Sequence, residues 1–259
     1  MSAYERSSLD FALRNDFATF IHQTFNTVAP GQRYHPNWHI YAIAWHLRLC
    51  ATGEIKRLLI TVPPRSLKSI CGSVAFVAWM LGRDPSARII CASYSADLAS
   101  KHAQDCRAVM ESDWYRRIFP QTRLSRQKNT EMNFETTRHG YRYSTSVGGT
   151  LTGRGGNFLI TDDPLKSDDA FSEASRSRVN DWYDGTVSSC LDDKREGVKI
   201  VLMQRLHLDD LIGHLLQQEK WTHLNLPAIA EIDEWIPIGA NKTYYRKAGE
   251  LLHDAREPK

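Results

Sequence analysis

Lys68 and Ser69 close the stretch "TVPPRSLKS", set between one apolar run and another. A lysine followed by a hydroxyl, where a strand gives way to a helix, suits phosphate chemistry. Converging backbone N–H groups and the helix dipole favour an anion there. The ammonium can reach the outer phosphates of a nucleotide, and the hydroxyl can ligate Mg²⁺. The candidate nucleotide-binding run is Pro64, Arg65, Ser66, Leu67, Lys68, Ser69 and Ile70. The glycines of an ordinary phosphate-binding loop are missing, with Val62 and Leu67 standing at the two defining positions. An ordinary strand-to-helix turn, with Ser69 near the cap, fits the Lys-Ser pair as well.

A second element sharpens the reading. "FLITDD" is an apolar strand ending in Asp162 and Asp163, which would emerge at the same sheet edge as the Lys68 loop. In phosphate-loop ATPases an acid there holds Mg²⁺ through its water shell, and a second acid orients the attacking water. The alternative is an acidic turn, since Asp-Asp-Pro is good loop chemistry. Phosphoryl transfer gathers charge that an arginine can stabilise. Arg65 lies inside the cradle, and Arg154 lies in the glycine-flanked "TLTGRGGNF". Gln204 and Arg205 end the apolar run "VKIVLMQR", where motor ATPases place a γ-phosphate sensor. Arg154 reads equally as a solvated loop arginine, and Gln204 and Arg205 as plain strand-end residues.

Several elements must position these groups. Apolar residues at helical spacing in "LDFALRNDFATFIHQTF" and "WHIYAIAWHLRLCATG" predict two helices at the start. "KRLLITV", "RIICASYS", "NFLITDDP", "VKIVLMQR" and "HLNLPAI" read as short strands, most of them buried. They alternate with helices over "SICGSVAFVAWMLG", "ADLASKHAQDCRAVMES", "SEASRSRVNDWYDGTVSSCL" and "LDDLIGHLLQQE". Such alternation predicts an α/β domain with a mainly parallel sheet flanked by helices. "EMNFETTRHGYRYSTSVGG" predicts a β-hairpin turning at His139-Gly140 on the sheet edge. The segmentation is a helical lead-in over 1–55, a core over 56–230, and a polar closing stretch over 231–259 that reads as the end of the domain and the start of a linker.

Composition narrows the class. With 42% hydrophobic residues the 259-residue chain can bury a full core, and a net charge of +3 permits nucleic-acid contact without demanding it. No apolar run approaches the ~20 residues a bilayer crossing needs. The five cysteines form no C-x-x-C pair, which argues for a reducing cytosol and against a zinc site.

"VPPRSLKS", "ASYS", "SVGGTLTGRGGNFLITDDPLK" and "VLMQRLHLDDLIG", in that order, resemble the ATPase half of the large terminase subunit of tailed bacteriophages and prophages. The resemblance runs from about Trp38 to Leu226. It implies a RecA-like P-loop motor of the additional-strand, catalytic-acid type, with ATP and Mg²⁺ as its cofactors. Lys68 and Ser69 would bind phosphates and Mg²⁺, Asp162 would be the Walker B acid and Asp163 the catalytic acid. Arg154 would serve a neighbouring subunit's nucleotide, and Arg65 its own. Gln204 and Arg205 would couple hydrolysis to movement, and Trp38 and His39 fall near the adenine-contacting segment. The implied partners are double-stranded DNA, the portal protein of the procapsid, the small terminase subunit and further copies in a ring of five, in the host bacterial cytoplasm and away from membranes.

Two features depart from that pattern. Leu67 stands in place of the usual glycine, where a side chain could narrow the cradle. The RNase H-like nuclease of large terminases is not expected of this chain. Two other readings stay open: another RecA-like nucleic-acid ATPase, such as a helicase or repair protein, or a nucleotide-free docking module with a decayed cradle. Lys101, Arg107, Arg116, Arg117, Arg123, Arg126 and Lys128 could grip DNA or form a solvated surface.

Overall fold

Alternate residues of the apolar strands serve two different cores, and this organises the molecule. The computed structural model describes residues 2–151 and 153–254. In β1 (Arg57–Thr61), Leu58 and Ile60 enter a core on one face of the sheet, while Leu59 enters a second core on the other. β7 (Val198–Met203) divides the same way, Ile200 and Leu202 against Val201 and Met203. Strands covered on both faces read as continuous apolar runs, as parallel strands do.

β2 spans Arg88–Ser93, β3 Leu124–Asn129, β4 Phe134–Thr136, β5 Tyr141–Ser146, β6 Phe158–Asp162 and β8 Thr222–Asn225. The main sheet has eight strands in the order β3-β4-β5-β2-β6-β7-β1-β8. From β5 to β8 every neighbouring pair is parallel. The fold is therefore the expected mixed α/β architecture around a mostly parallel sheet. β7 lies between β1 and β6, so the strand ending near Gln204 separates the strand leading to Lys68 from the one ending at Asp162.

One face is covered by α1 (Ala3–Asn15), α2 (Phe17–Val28), α3 (Trp38–Ala51), a π-helical segment Ile70–Phe76 continuing into α4 (Val77–Arg83), α5 (Ala96–Glu111) and α6 (Asp113–Ile118). α7 (Glu173–Trp182), its irregular continuation to Cys190 and α8 (Leu211–Gln218) cover the other. The first predicted helix divides at Asp16, whose carboxylate accepts the Thr19 N–H and starts α2. Such a cap offers the chain a new helix start within an unbroken apolar period. Gly72 lets the π-helical segment lie against β7, because a Cβ there would sit 2.7 Å from a Leu202 methyl.

The hairpin is present with a different setting. β4 (Phe134–Thr136) and β5 pair antiparallel and turn at His139-Gly140, with His139 in the left-handed region. β5 is also the parallel neighbour of β2, and a further strand, β3 (Leu124–Asn129), forms the actual edge. β3 has no apolar alternation to announce it, as suits a polar edge strand.

The closing stretch carries secondary structure of its own. β9 (Glu234–Gly239) and β10 (Lys242–Arg246) form a separate antiparallel hairpin against α3. Ile236 is buried, and Arg246 is fully buried, donating to the carbonyls of Pro227 at 2.7 Å and Glu250 at 3.1 Å. Residues 255–259 lie outside the described residues.

Candidate nucleotide-binding site

The loop between β1 and the π-helical segment turns through two left-handed residues, Arg65 at φ 61° and Leu67 at φ 63°. Left-handed residues in a short loop swing successive N–H groups toward a common centre, the geometry of an anion nest. Pro64 contributes shape and no N–H donor. Leu67 thus adopts the backbone conformation that a glycine would hold at no cost. Its half-buried side chain packs against the core on that face of the sheet.

Lys68 follows, and its side chain is nearly buried. Its Nζ lies 2.8 Å from Asp163 Oδ2. Ser69 donates to Asp162 Oδ1 at 3.1 Å, and Ser73, one helical turn on, donates to Asp162 Oδ2 at 2.7 Å. The two acids differ in access: the Asp162 side chain is 1% exposed and that of Asp163 24%. Asp162 is the inner, fixed carboxylate, and Asp163 is the one that meets solvent. Asp163 has a left-handed backbone, φ 44°, tied by its N–H to the Leu202 carbonyl at 2.8 Å and by its carbonyl to the Tyr94 N–H at 3.0 Å.

Burial raises the Asp162 carboxyl above the usual carboxylate range, with Lys68 and the two serine hydroxyls opposing it. Burial likewise raises Asp163, and the neighbouring charge of Asp162 adds to it. A carboxylate with raised pKa is the better proton acceptor. Two adjacent acids facing a single lysine also favour an additional cation. Among the described residues no cluster of three or more His, Cys, Asp or Glu could hold a metal alone. Ser69 and Asp162 offer few protein oxygens, which fits Mg²⁺, an ion that keeps waters and shares phosphate oxygens.

Gln204 joins this group. Its backbone N–H donates to Asp163 Oδ1 at 3.4 Å, and its side-chain amide donates to Ser167 Oγ at 2.9 Å. The structure therefore gathers Lys68, Ser69, Asp162, Asp163 and Gln204 at one sheet edge.

The other candidates have different surroundings. Arg205 donates to Asp210 Oδ2 at 3.0 Å and to the carbonyls of His207 and Leu208. Asp210 is fully buried and caps α8 through the Gly213 N–H. Arg205 is thus a brace for that cap. Arg154 is exposed, its guanidinium 4.7 Å over the Tyr143 ring. Arg65 is exposed at the rim of the loop. Trp38 stacks on Tyr244 at 4.4 Å, with the Arg246 guanidinium 5.4 Å from its ring, and His39 is 1% exposed. Tyr244 of the β9-β10 hairpin covers one face of the half-buried indole, which also lines a small groove with Asn37 and Leu251, and the imidazole is inside the protein.

Three residues at the site escaped the sequence reading. Ser73 lies four residues after Ser69, a spacing that points both hydroxyls the same way. His102 sits in the buried stripe of α5 with Ala99, Ala103 and Cys106, its Nδ1 3.6 Å from Asp162 Oδ2. Burial, with Arg142 and Lys101 nearby, pushes its imidazole down to about 4, so it is neutral at neutral pH. Arg142, on β5 and 1% exposed, reaches the Ser73 carbonyl at 3.4 Å and the Ser144 hydroxyl. No local pattern marks an arginine in a strand as a buried one.

A mostly parallel α/β sheet carries a lysine-tipped loop and two acids at one edge, with a strand interposed between them. Comparison with solved structures places this fold among known ones. The HK97 bacteriophage large terminase superposes with a TM-score of 0.51 over 84% of this chain, at 13% identity. The chain spans 44% of that protein's length. A Thermus phage large terminase ATPase-domain mutant superposes at 0.50, with 14% identity, covering 80% of this chain and 84% of that domain. The chain thus shares the fold of phage large terminase ATPase domains. No protein-family model and no curated protein sequence matches it.

Proposed function

We propose that this chain is the Mg²⁺-dependent ATPase motor domain of a phage large terminase, hydrolysing ATP to drive double-stranded DNA into a procapsid. The observation that carries the reading is the Lys68–Asp163 pair beside Asp162 and Ser69, at one edge of a sheet with the fold of terminase ATPase domains.

Each residue has a physical part to play. The loop from Pro64 to Ile70 cradles phosphates with its N–H groups. Lys68 exchanges its bond to Asp163 for phosphate oxygens, which releases the Asp163 carboxylate to accept a proton from the attacking water. Bound Mg²⁺ would neutralise charge on the outer phosphates, held by Ser69 and, through water, by Asp162. Gln204, bonded to Asp163 through its N–H and to Ser167 through its amide, can pass a change at the acid to the segment after β6. Arg65 would act within its own subunit. Arg154, lying over Tyr143 rather than beside Lys68, suits a role at a neighbouring subunit in a ring on the portal. Small terminase subunit and portal would be its partners, the host cytoplasm its place of work, and an RNase H-like nuclease a separate domain of the parent protein.

Leu67 was the feature that favoured a decayed, nucleotide-free cradle. Its left-handed backbone and core packing favour an intact one. Isothermal calorimetry with ATP and Mg²⁺, together with phosphate release, tests the reading. The native chain should bind ATP and Lys68→Ala should lose both binding and turnover. No heat at millimolar nucleotide, or full turnover in Lys68→Ala, would sink it. Strand separation without any capsid protein would instead indicate a helicase-like ATPase.

A further inference from the structure

Seven basic residues between 101 and 128 compete in the sequence as a nucleic-acid surface, and the fold sorts them. Lys101 is paired with Asp105 at 2.6 Å. Arg107 is half-buried, its guanidinium 5.5 Å over the Phe134 ring. Arg117 is held by both oxygens of Asp10 at 2.8 Å. The Lys128 side chain lies outside the described residues. Arg116, Arg123 and Arg126 remain, all exposed and all lining one groove of about 850 Å³ between the end of α5, α6 and the edge strand β3.

The chemistry of that groove is one-sided. Three arginines line it, and Glu111 is the single carboxylate in its lining among the described residues. Between the arginines, Ser125, Gln127 and Asn129 supply neutral donors. Arginine forks with hydroxyl and amide donors are the usual partners of phosphodiester oxygens, which they hold without reading sequence. The groove is separate from the Lys68 cluster: none of its lining residues belongs to that cluster.

We propose that this groove along β3 holds the phosphate backbone of double-stranded DNA, through Arg116, Arg123 and Arg126. The assignment rests on the packaging-motor reading for its choice of polyanion; the surface and the residues come from the charge distribution alone. Each phosphate contact contributes about 0.9 to the slope of log affinity against log salt.

Fluorescence anisotropy with a labelled DNA duplex, titrated at several salt concentrations, tests it. The triple variant Arg116→Gln, Arg123→Gln, Arg126→Gln should weaken binding on the order of 10²-fold at low salt and reduce the slope by roughly 2–3. The triple Arg→Lys variant should keep most of the slope, since it keeps the charges. Calorimetry with ATP and Mg²⁺ on the same samples shows that the site and fold survive substitution. An unchanged slope in the glutamine variant would overturn the proposal and leave the arginines as protection of an exposed strand edge. Equal, arginine-dependent binding of polyglutamate would also overturn it, reassigning the groove to an acidic protein. ATP binding by the native chain without DNA binding defeats the groove alone, whereas absence of both defeats the motor reading itself.

Discussion

Lys68 Nζ lies 2.8 Å from Asp163 Oδ2, so the lysine of the loop and the half-buried acid neutralise one another across the site. In the proposed ATPase a triphosphate must displace this bond to engage the lysine. Replacing the acid therefore affects binding and chemistry in opposite directions. Asp163→Asn should leave ATP affinity unchanged or raise it, because Lys68 is no longer held, while turnover falls by at least ~10² for want of a proton acceptor. Calorimetry and single-turnover phosphate release measure the two effects separately. A parallel loss of both would mean that Asp163 serves binding rather than chemistry.

Leu67 stands at φ 63°, a conformation that costs an L-residue roughly 1–2 kcal/mol. Its packing against the core offsets part of that cost. Leu67→Gly relieves the strain but loses the packing and adds unfolded-state freedom, so its stability should stay within about 1 kcal/mol of the native chain. Leu67→Val places a β-branched residue in the left-handed region, a true outlier, and should destabilise by ~1–2 kcal/mol. Denaturant titration gives the order, and ATP affinity in Leu67→Gly should move less than about threefold.

Ser73 holds the inner oxygen of Asp162 at 2.7 Å. Ser73→Ala leaves that buried carboxylate short of a donor, a loss of ~1–3 kcal/mol. The expected outcome is a lower Tm and a several-fold higher Mg²⁺ concentration for half-maximal turnover. Ser73→Thr, which restores the hydroxyl, should recover the Mg²⁺ response. Equal Mg²⁺ dependence in the alanine variant would limit Ser73 to packing.

His102 is neutral in the folded chain, with its pKa pushed down to about 4 by burial, against ~6.5 when unfolded. Its contribution to stability is fully present above pH ~6.5, and it is lost as pH falls toward 4, because the unfolded chain takes up the proton first. Between pH 7 and pH 5 the loss is about 2 kcal/mol, a Tm decrease of roughly 4–8 °C. His46 and His223, also lowered by burial, add in the same direction. Thermal unfolding of His102→Gln should show a flatter pH profile across that window; an unchanged profile would remove His102 as its source.

Arg205 braces Asp210 at the start of α8. Arg205→Ala should lower Tm by several degrees, since it strips a charge partner from a buried acid. Gln204→Ala should leave Tm near the native value and lower turnover, because its amide reaches only Ser167 on the exposed side of the site. Circular dichroism melts and phosphate release distinguish these two neighbours.

Short-range physics made part of this protein legible in its sequence. The apolar runs before Lys68 and before Asp162-Asp163 fix buried strands, and the order of strand, loop and helix puts both chemical groups at one sheet edge. Period and breaking residues act over a few positions, so they survive without coordinates. Partnership at long range does not. Whether Ser73 meets an acid depends on Asp162, 89 residues on, and whether Trp38 is stacked or free depends on Tyr244, some two hundred residues away. Likewise the polar strand β3 has no periodicity to announce it, and only its pairing with β4 makes it an edge. The sequence determined which groups could do phosphate chemistry and which strands carry them. The tertiary structure decided which side chains meet: Ser73 and His102 come to Asp162 from separate elements, Arg142 reaches Ser73 from a third, and Leu67 packs against the core, because burial and charge pairing are settled only when distant segments pack.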